Sequence, residues 1–371
     1  MFFLVFVVAL PDRIFPLMYV SIIYLSLALI FIVYRLPDAL KVRNIGYYQF
    51  VGLFLLVAGL DFFELYYEGV DVNYRYYFSH INHYIQFFII YIFFITALLL
   101  VGVRIIAYSG KLSIISAFSI LINIIAIYGD TGELKYTKFD INYASFLIFS
   151  LLYLRYSVSS RLIKAVLVVA TLLFAILLSG RASFVLITMV WAFYIYYDLS
   201  RYVLYAAVLT VLLVTTVSPF FISEASLDKL YELDHNSGIR VEFIRSAGEL
   251  IKEAPLFGDG FNTPYRLTDY DYLRPHVLLT GYEETEIVSN HNSLIDTVLR
   301  IGLVPAVFLF YVLYFRRIRY QNLFVRGFLL LGLSIGLTVD AWFENQVQMV
   351  AFAFWSSLVF AFARLRLPRR R

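Results

Sequence analysis

There is no cysteine anywhere in the 371 residues, which removes disulfide staples, thiolate nucleophiles and cysteine-ligated metal from the available chemistry. Charge is scarce too. Asp, Glu, Lys and Arg make up 15% of the chain, against about 25% in an ordinary soluble domain, and the hydrophobic share is 61%. Long stretches of alternating apolar and polar residues, the mark of a membrane β-barrel, are also missing. The first ten residues lack a basic start and a small-residue cleavage site, and Pro11-Asp12-Arg13 follows at once, so they read as a short membrane segment rather than a leader. No repeat of fixed period and no inverted pair of broken helices is present, which speaks against a secondary transporter.

What remains is a series of continuous apolar runs. In hydrocarbon a backbone satisfies itself only in helices or closed barrels, and unalternating runs choose helices. At about twenty apolar residues per span, helices are expected near 2–11, 15–34, 45–60, 84–103, 112–128, 141–154, 163–178, 183–197, 203–221, 291–315, 323–338 and 346–363. The expected fold is therefore all-α: one polytopic bundle of about twelve membrane helices forming a single integral domain, residues 1–371.

The basic residues orient it. Arg35, Lys41, Arg43, Arg104, Lys111, Arg155, Arg161, Lys164, Arg201, Arg316, Arg317, Arg319, Arg326 and the arginine-rich tail from Arg364 to Arg371 all fall on one side of this arrangement. By the positive-inside rule that side is cytoplasmic, with both termini on it. The opposite face carries the loops 61–83 and 129–140, the turn Ser179-Gly180-Arg181-Ala182, the segment from Val339 to Gln346 and one long loop, 222–290. That loop holds thirteen acidic residues against six Lys and Arg, the reverse of a nucleic-acid or anionic-lipid surface. A connection of this length is functional or disordered, and its content of Tyr, Leu, Phe and Ile argues against disorder.

Several residues on this outer face could carry chemistry. Arg181 sits in a turn of small polar residues that lets a ligand approach the backbone, and its guanidinium offers a bidentate fork for phosphate oxygens; snorkelling to the interface is the plain alternative. Within the loop, Val241, Ile244, Ala247 and Ile251 recur at helical spacing, and Pro255 followed by Phe257-Gly258-Asp259-Gly260-Phe261 ends the run. An amphipathic helix over 238–254, lying along the membrane surface, is expected. Arg240 would then fall in its first turn, where the helix dipole disfavours a purely structural cation, whereas Glu249 four residues on offers Arg245 a simple partner.

His291 stands at the mouth of an apolar segment in Ser289-Asn290-His291-Asn292. Capping by Ser289 or Asn290, together with nearby cations, would keep its imidazole neutral, as a general base requires. His80 and His83 have metal-like spacing, but no carboxylate-rich motif accompanies them, so no metal site is expected. Asp296 and Arg300, four apart in an apolar helix, read as a self-paired bridge or as intramembrane functional charges. Asp340 and Glu344 around Trp342 suit either sugar hydroxyls or an interfacial aromatic belt.

Taken in order, Ser-Gly-Arg-Ala-Ser at 179–183, Arg240 seven residues before Ala247, Pro255-Leu256-Phe257-Gly258-Asp259-Gly260 and His291-Asn292-Ser293-Leu294 leading to Gly302 resemble the O-antigen ligase and polymerase superfamily, most nearly its polymerase (Wzy) branch. The resemblance implies a membrane-embedded, GT-C-like glycosyltransferase of a bacterial inner membrane with its site on the periplasmic face and 222–290 as a large periplasmic loop. It also implies inverting transfer without metal or other cofactor, with undecaprenyl-pyrophosphate-linked oligosaccharides as donor and acceptor, membrane lipid around them and a chain-length-regulating membrane protein as partner. On this pattern His291 is the base, Arg181 and Arg240 hold the donor pyrophosphate, and Arg245 and Asn292 join them in binding substrate. Ile244, where an aromatic is common, and Arg300, where many ligases carry an acidic residue, depart from the pattern. A ligase transferring finished glycan to lipid A core shares this chemistry; a lipid-linked oligosaccharide flippase is the alternative of another class.

Overall fold

A computed structural model describes residues 74–132, 141–156, 212–233, 235–258 and 292–313 continuously, with single positions and short runs within 26–34, 51–63, 162–170, 206–210, 260–287 and 349–361. These residues are predominantly helical. The full set of twelve expected spans, and the GT-C-like arrangement with it, reaches outside the described residues.

Two helices, α1 (Tyr74–Val101) and α2 (Arg104–Thr131), contain stretches long and apolar enough to cross a membrane, Ile81–Val101 and Arg104–Asp130. The sequence places Arg104 and Lys111 in a connection between spans, but only Gly102 and Val103 separate the helices. Both basic residues are exposed positions of α2. At 1.5 Å per residue its 28 residues measure about 42 Å, so the helix outruns a hydrocarbon layer of about 30 Å and its charged end can stay outside.

The next helix, α3 (Ile141–Tyr156), packs along α2 through small and polar residues. Ser109, Ser113, Ser116, Ser119 and Asn123 of α2 and Ser145 and Ser150 of α3 are buried, and the hydroxyls of Ser113 and Ser150 meet at 2.5 Å. The Ser109 and Ser116 hydroxyls donate back to the carbonyls of Ile106 and Leu112. Without a hydrophobic drive between helices in lipid, close approach of small residues and paired hydroxyls holds such a seam together. On α1, the rings of Phe87 and Phe94 meet those of Phe352 and Phe354 at 5.0 and 5.1 Å, bringing the 349–361 region against this helix.

The outer segment begins where the expected 203–221 span changes geometry, first to a π turn (Leu213–Val217), then to a 3₁₀ turn (Ser218–Phe221). Helix α4 (Glu224–Leu233) follows, its first turn capped by the Ser223 hydroxyl accepting from the Ser226 N–H. Helix α5 (His235–Glu253) doubles back on it, and Leu227 and Tyr231 of α4 form a core with Ile239, Val241 and Phe243 of α5. The Tyr231 ring lies flat over Gly238, where a Cβ would come within 2.6 Å of it. Burial and then the neighbouring Glu242 carboxylate push the Tyr231 phenol up, so it stays protonated and can face that carboxylate as a donor. Within the long loop, Tyr265–Arg266 (β1) and Glu286–Ile287 (β2) pair antiparallel, Tyr265 opposite Ile287 and Arg266 opposite Glu286.

The expected 291–315 helix is two helices, α6 (Ser293–Ile301) and α7 (Leu303–Leu313). Gly302 interrupts them at φ 81°, a value that side-chain-bearing residues rarely adopt. Its N–H still bonds to the Val298 carbonyl at 2.7 Å, closing α6 before the chain departs.

Arg245 ties the outer segment together. Its Nε donates to the Pro219 carbonyl at 2.8 Å, one terminal nitrogen to Glu224 Oε1 at 2.9 Å and the other to the Ile222 carbonyl. Glu249, the partner expected from spacing, is instead bound by Lys252. The Arg245→Met variant should lose about 1.5–3 kcal/mol of stability, because two carbonyls lose a charged donor. Glu224→Gln should lose less than about 1 kcal/mol, since that carboxylate is 70% exposed. Thermal unfolding in detergent measures both, and equal effects would contradict the assignment.

Candidate active site at the amino end of α6

The site is organised by Asn292. This residue, fully buried, adopts an extended conformation before α6, and its Oδ1 accepts from the N–H groups of Leu294 and Ile295, both at 3.1 Å. Its Nδ2 donates to the Thr215 carbonyl and to Thr216 Oγ1, each at 3.5 Å. The cap is thus Asn292 itself, not Ser289 or Asn290 as the sequence suggested, and the helix begins at Ser293. One amide group both completes the helix start and fastens it to the π turn.

Helix α5 packs beside α6 through Ile244 and Ala247 against Ile295, with Ile251 on the same cluster. Beyond Glu253, the turn Pro255-Leu256-Phe257-Gly258 meets the far end of α6 backbone to backbone. A Cβ on Gly258, at φ 82°, would come within 2.6 Å of the Gly302 nitrogen and of the Leu299 carbonyl. A Cβ on Gly302 would collide with the backbone of Leu256 and Phe257. The first free N–H groups of α7 close the junction, Leu303 donating to the Pro255 carbonyl at 3.0 Å and Val304 to that of Leu256 at 3.3 Å. With carboxyl ends joined and Ile244 and Ala247 against Ile295, α5 and α6 run in the same direction.

This arrangement locates Arg240. Residues 240, 244, 247 and 251 share one helical stripe. Following that stripe from Ile244 towards its amino end leads past Ile295 to the level of the α6 cap. Arg240 is exposed there, and no ion pair to it occurs among the described residues. Because α5 starts at His235, Arg240 lies in the second turn rather than the first. The dipole argument for it therefore weakens, since that field fades within one turn. Arg245, five residues on, points to a different face and is engaged by the carbonyls and carboxylate already described. Arg181 and His291 lie outside the described residues, as do Asp340, Trp342 and Glu344.

Deeper along α6, Asp296 and Arg300 are both buried. They are near enough to influence one another's charge, yet Arg300 directs Nη1 at the Gly260 carbonyl, 3.4 Å away, and Asp296 Oδ1 has no hydrogen-bond partner among the described residues. The simple self-paired bridge expected from spacing is therefore replaced by a junction. Tyr84 of α1, stacked on Phe54 at 5.0 Å, brings its hydroxyl to the same place, facing Asp296, Thr297 and Arg300. Sequence reasoning did not single out Tyr84, Thr215 or Thr216. A polar pair at the end of an apolar run was the available signal for the threonines; nothing local distinguishes Tyr84 among 31 tyrosines.

Residues 142–310, a little under half of the chain, match the model of a family described as O-antigen ligase. The match takes in α3, the π turn, α4, α5, α6 and most of α7. No curated protein and no solved structure matches the chain.

Two substitutions test the geometry. Asn292→Ala should cost about 1 kcal/mol or more through loss of the cap, while Asn292→Asp, which keeps the accepting oxygen, should recover part of it. Gly302→Ala should cost at least about 2 kcal/mol, combining a disfavoured φ with displaced backbone. Chemical or thermal unfolding of the detergent-solubilised protein reads both; a neutral Gly302→Ala would refute the junction.

Proposed function

We propose that the chain is a polysaccharide polymerase of the periplasmic face of a bacterial inner membrane, joining repeat units carried on undecaprenyl pyrophosphate. The observation that carries this reading is Arg240, an exposed guanidinium one turn before Ile244 on the stripe of α5 that packs on α6, with no ion pair among the described residues. His291 directly precedes Asn292, the cap residue of α6, in the sequence. The family match to residues 142–310 supports the chemical class.

The chemistry follows from the leaving group. The acceptor hydroxyl attacks the anomeric carbon on the face opposite the pyrophosphate, the anomeric C–O bond breaks, and its electron pair leaves with the pyrophosphate oxygen. Arg240 and Arg181 oppose the charge that builds there, more strongly in the transition state than before it. His291, neutral, takes the proton released by the hydroxyl. Charge neutralisation by two guanidiniums accounts for transfer without a metal ion. Asn292 acts here by holding the start of α6 against Thr215 and Thr216, and Arg245 by holding the frame of α5. The 222–290 segment serves as the periplasmic loop over the site, with both chain termini cytoplasmic.

Because the matched family is described as O-antigen ligase, transfer of a finished glycan to lipid A core is the second reading. Purified protein incubated with a lipid-pyrophosphate repeat unit should yield a ladder of longer lipid-linked chains. His291→Ala should lower the rate by about 10²-fold or more, and Arg240→Ala and Arg181→Ala by roughly 10-fold or more each, with folding intact. Transfer only when lipid A core is supplied would select the ligase reading, and activity surviving both His291→Ala and Arg240→Ala would sink the site.

A further inference from the structure

The side chain of Arg300 is 1% exposed and is among the largest fully buried side chains of the described residues. An apolar residue could fill this volume without the penalty of dehydrating a guanidinium. The group donates to the Gly260 carbonyl, two residues beyond the glycine packed against Leu299, Arg300 and Gly302. Together with the bonds from Leu303 to Pro255 and from Val304 to Leu256, it fastens Pro255, Leu256 and Gly260 to the break between α6 and α7. Asp296, one turn earlier, lies close enough to offset the buried charge, and the Tyr84 hydroxyl faces both.

We propose that Arg300 is a positioning residue that sets the register of α5 on α6 and thereby the placement of Arg240 at the α6 cap. The turn is the carboxyl end of the rigid segment that carries Arg240. A shift of the turn along α6 therefore moves that guanidinium by a similar amount, and misplacement of a charge-stabilising group by about 1 Å can cost roughly 10²-fold in rate. This rests on the transfer reading given above, with Arg240 at the donor pyrophosphate.

The absence of native cysteine makes the register directly measurable. Spin labels at Glu249→Cys on α5 and Val307→Cys on α7, both exposed positions, should give a narrow distance distribution in the otherwise unchanged chain. Adding Arg300→Met should broaden or shift it, and in unlabelled protein should lower kcat for chain extension at least 10-fold while the donor KM stays within about twofold. Arg300→Lys, which keeps a donor for the Gly260 carbonyl, should restore part of both and serves as the variant to judge if Arg300→Met does not fold. An unchanged distance distribution, or kcat unaffected by loss of the guanidinium, overturns the proposal. If unmodified protein extends no lipid-linked chain, the transfer reading fails instead, and the distance measurement alone decides the register.

Discussion

Two stretches of backbone touch where the turn after α5 crosses the break between α6 and α7, at a separation that leaves no space for a methyl group on either glycine. From that contact the direction of α5 follows, because its carboxyl end is fixed against Leu299, Arg300 and Gly302. The apolar stripe of Ile244 and Ala247 then meets Ile295, and the amino half of α5 is carried to the cap of α6. The break at Gly302 contributes twice. It frees the first N–H groups of α7 to bond across to Pro255 and Leu256, and it keeps α6 a short nine-residue helix.

Around this junction the charged residues divide by what their hydrogen bonds are spent on. Arg245 gives all three of its described bonds to the 219–224 region, so its charge is committed to the frame. Arg300 is committed to the carbonyl of Gly260. Arg240 has no such commitment among the described residues and is exposed. Under the proposed transfer from a pyrophosphate donor, a guanidinium not already committed to the frame is the one that can respond to developing charge.

Helical periodicity made α5 legible, since the apolar stripe and the terminating Pro255 are local signals; its start was misplaced by three residues because His235 and its neighbours carry no apolar phase. α3 was legible for the same reason as any continuous apolar run. The 291–315 run concealed its break because Gly302 lies between apolar residues, and hydropathy is blind to φ. Asn292 was read as a substrate contact by motif; its cap over Leu294 and Ile295 is local, whereas its bonds to Thr215 and Thr216 reach 77 and 76 positions back, beyond any local pattern. The Asp296 and Arg300 spacing suggested a pair, but i to i+4 geometry fixes only proximity, and the carbonyl of Gly260 competes for the guanidinium.

The π turn at Leu213–Val217 has a topological meaning of its own. Such a turn is an α-helical turn carrying one additional residue, and the excess residue rotates everything after it by about 100° relative to the incoming helix. Leu213, Val214 and Val217 remain outward while Thr215 and Thr216 are half-buried against Asn292. A single inserted residue thus serves as a phase-shifter, turning two hydroxyls towards one chosen neighbour while the adjacent apolar side chains stay outward.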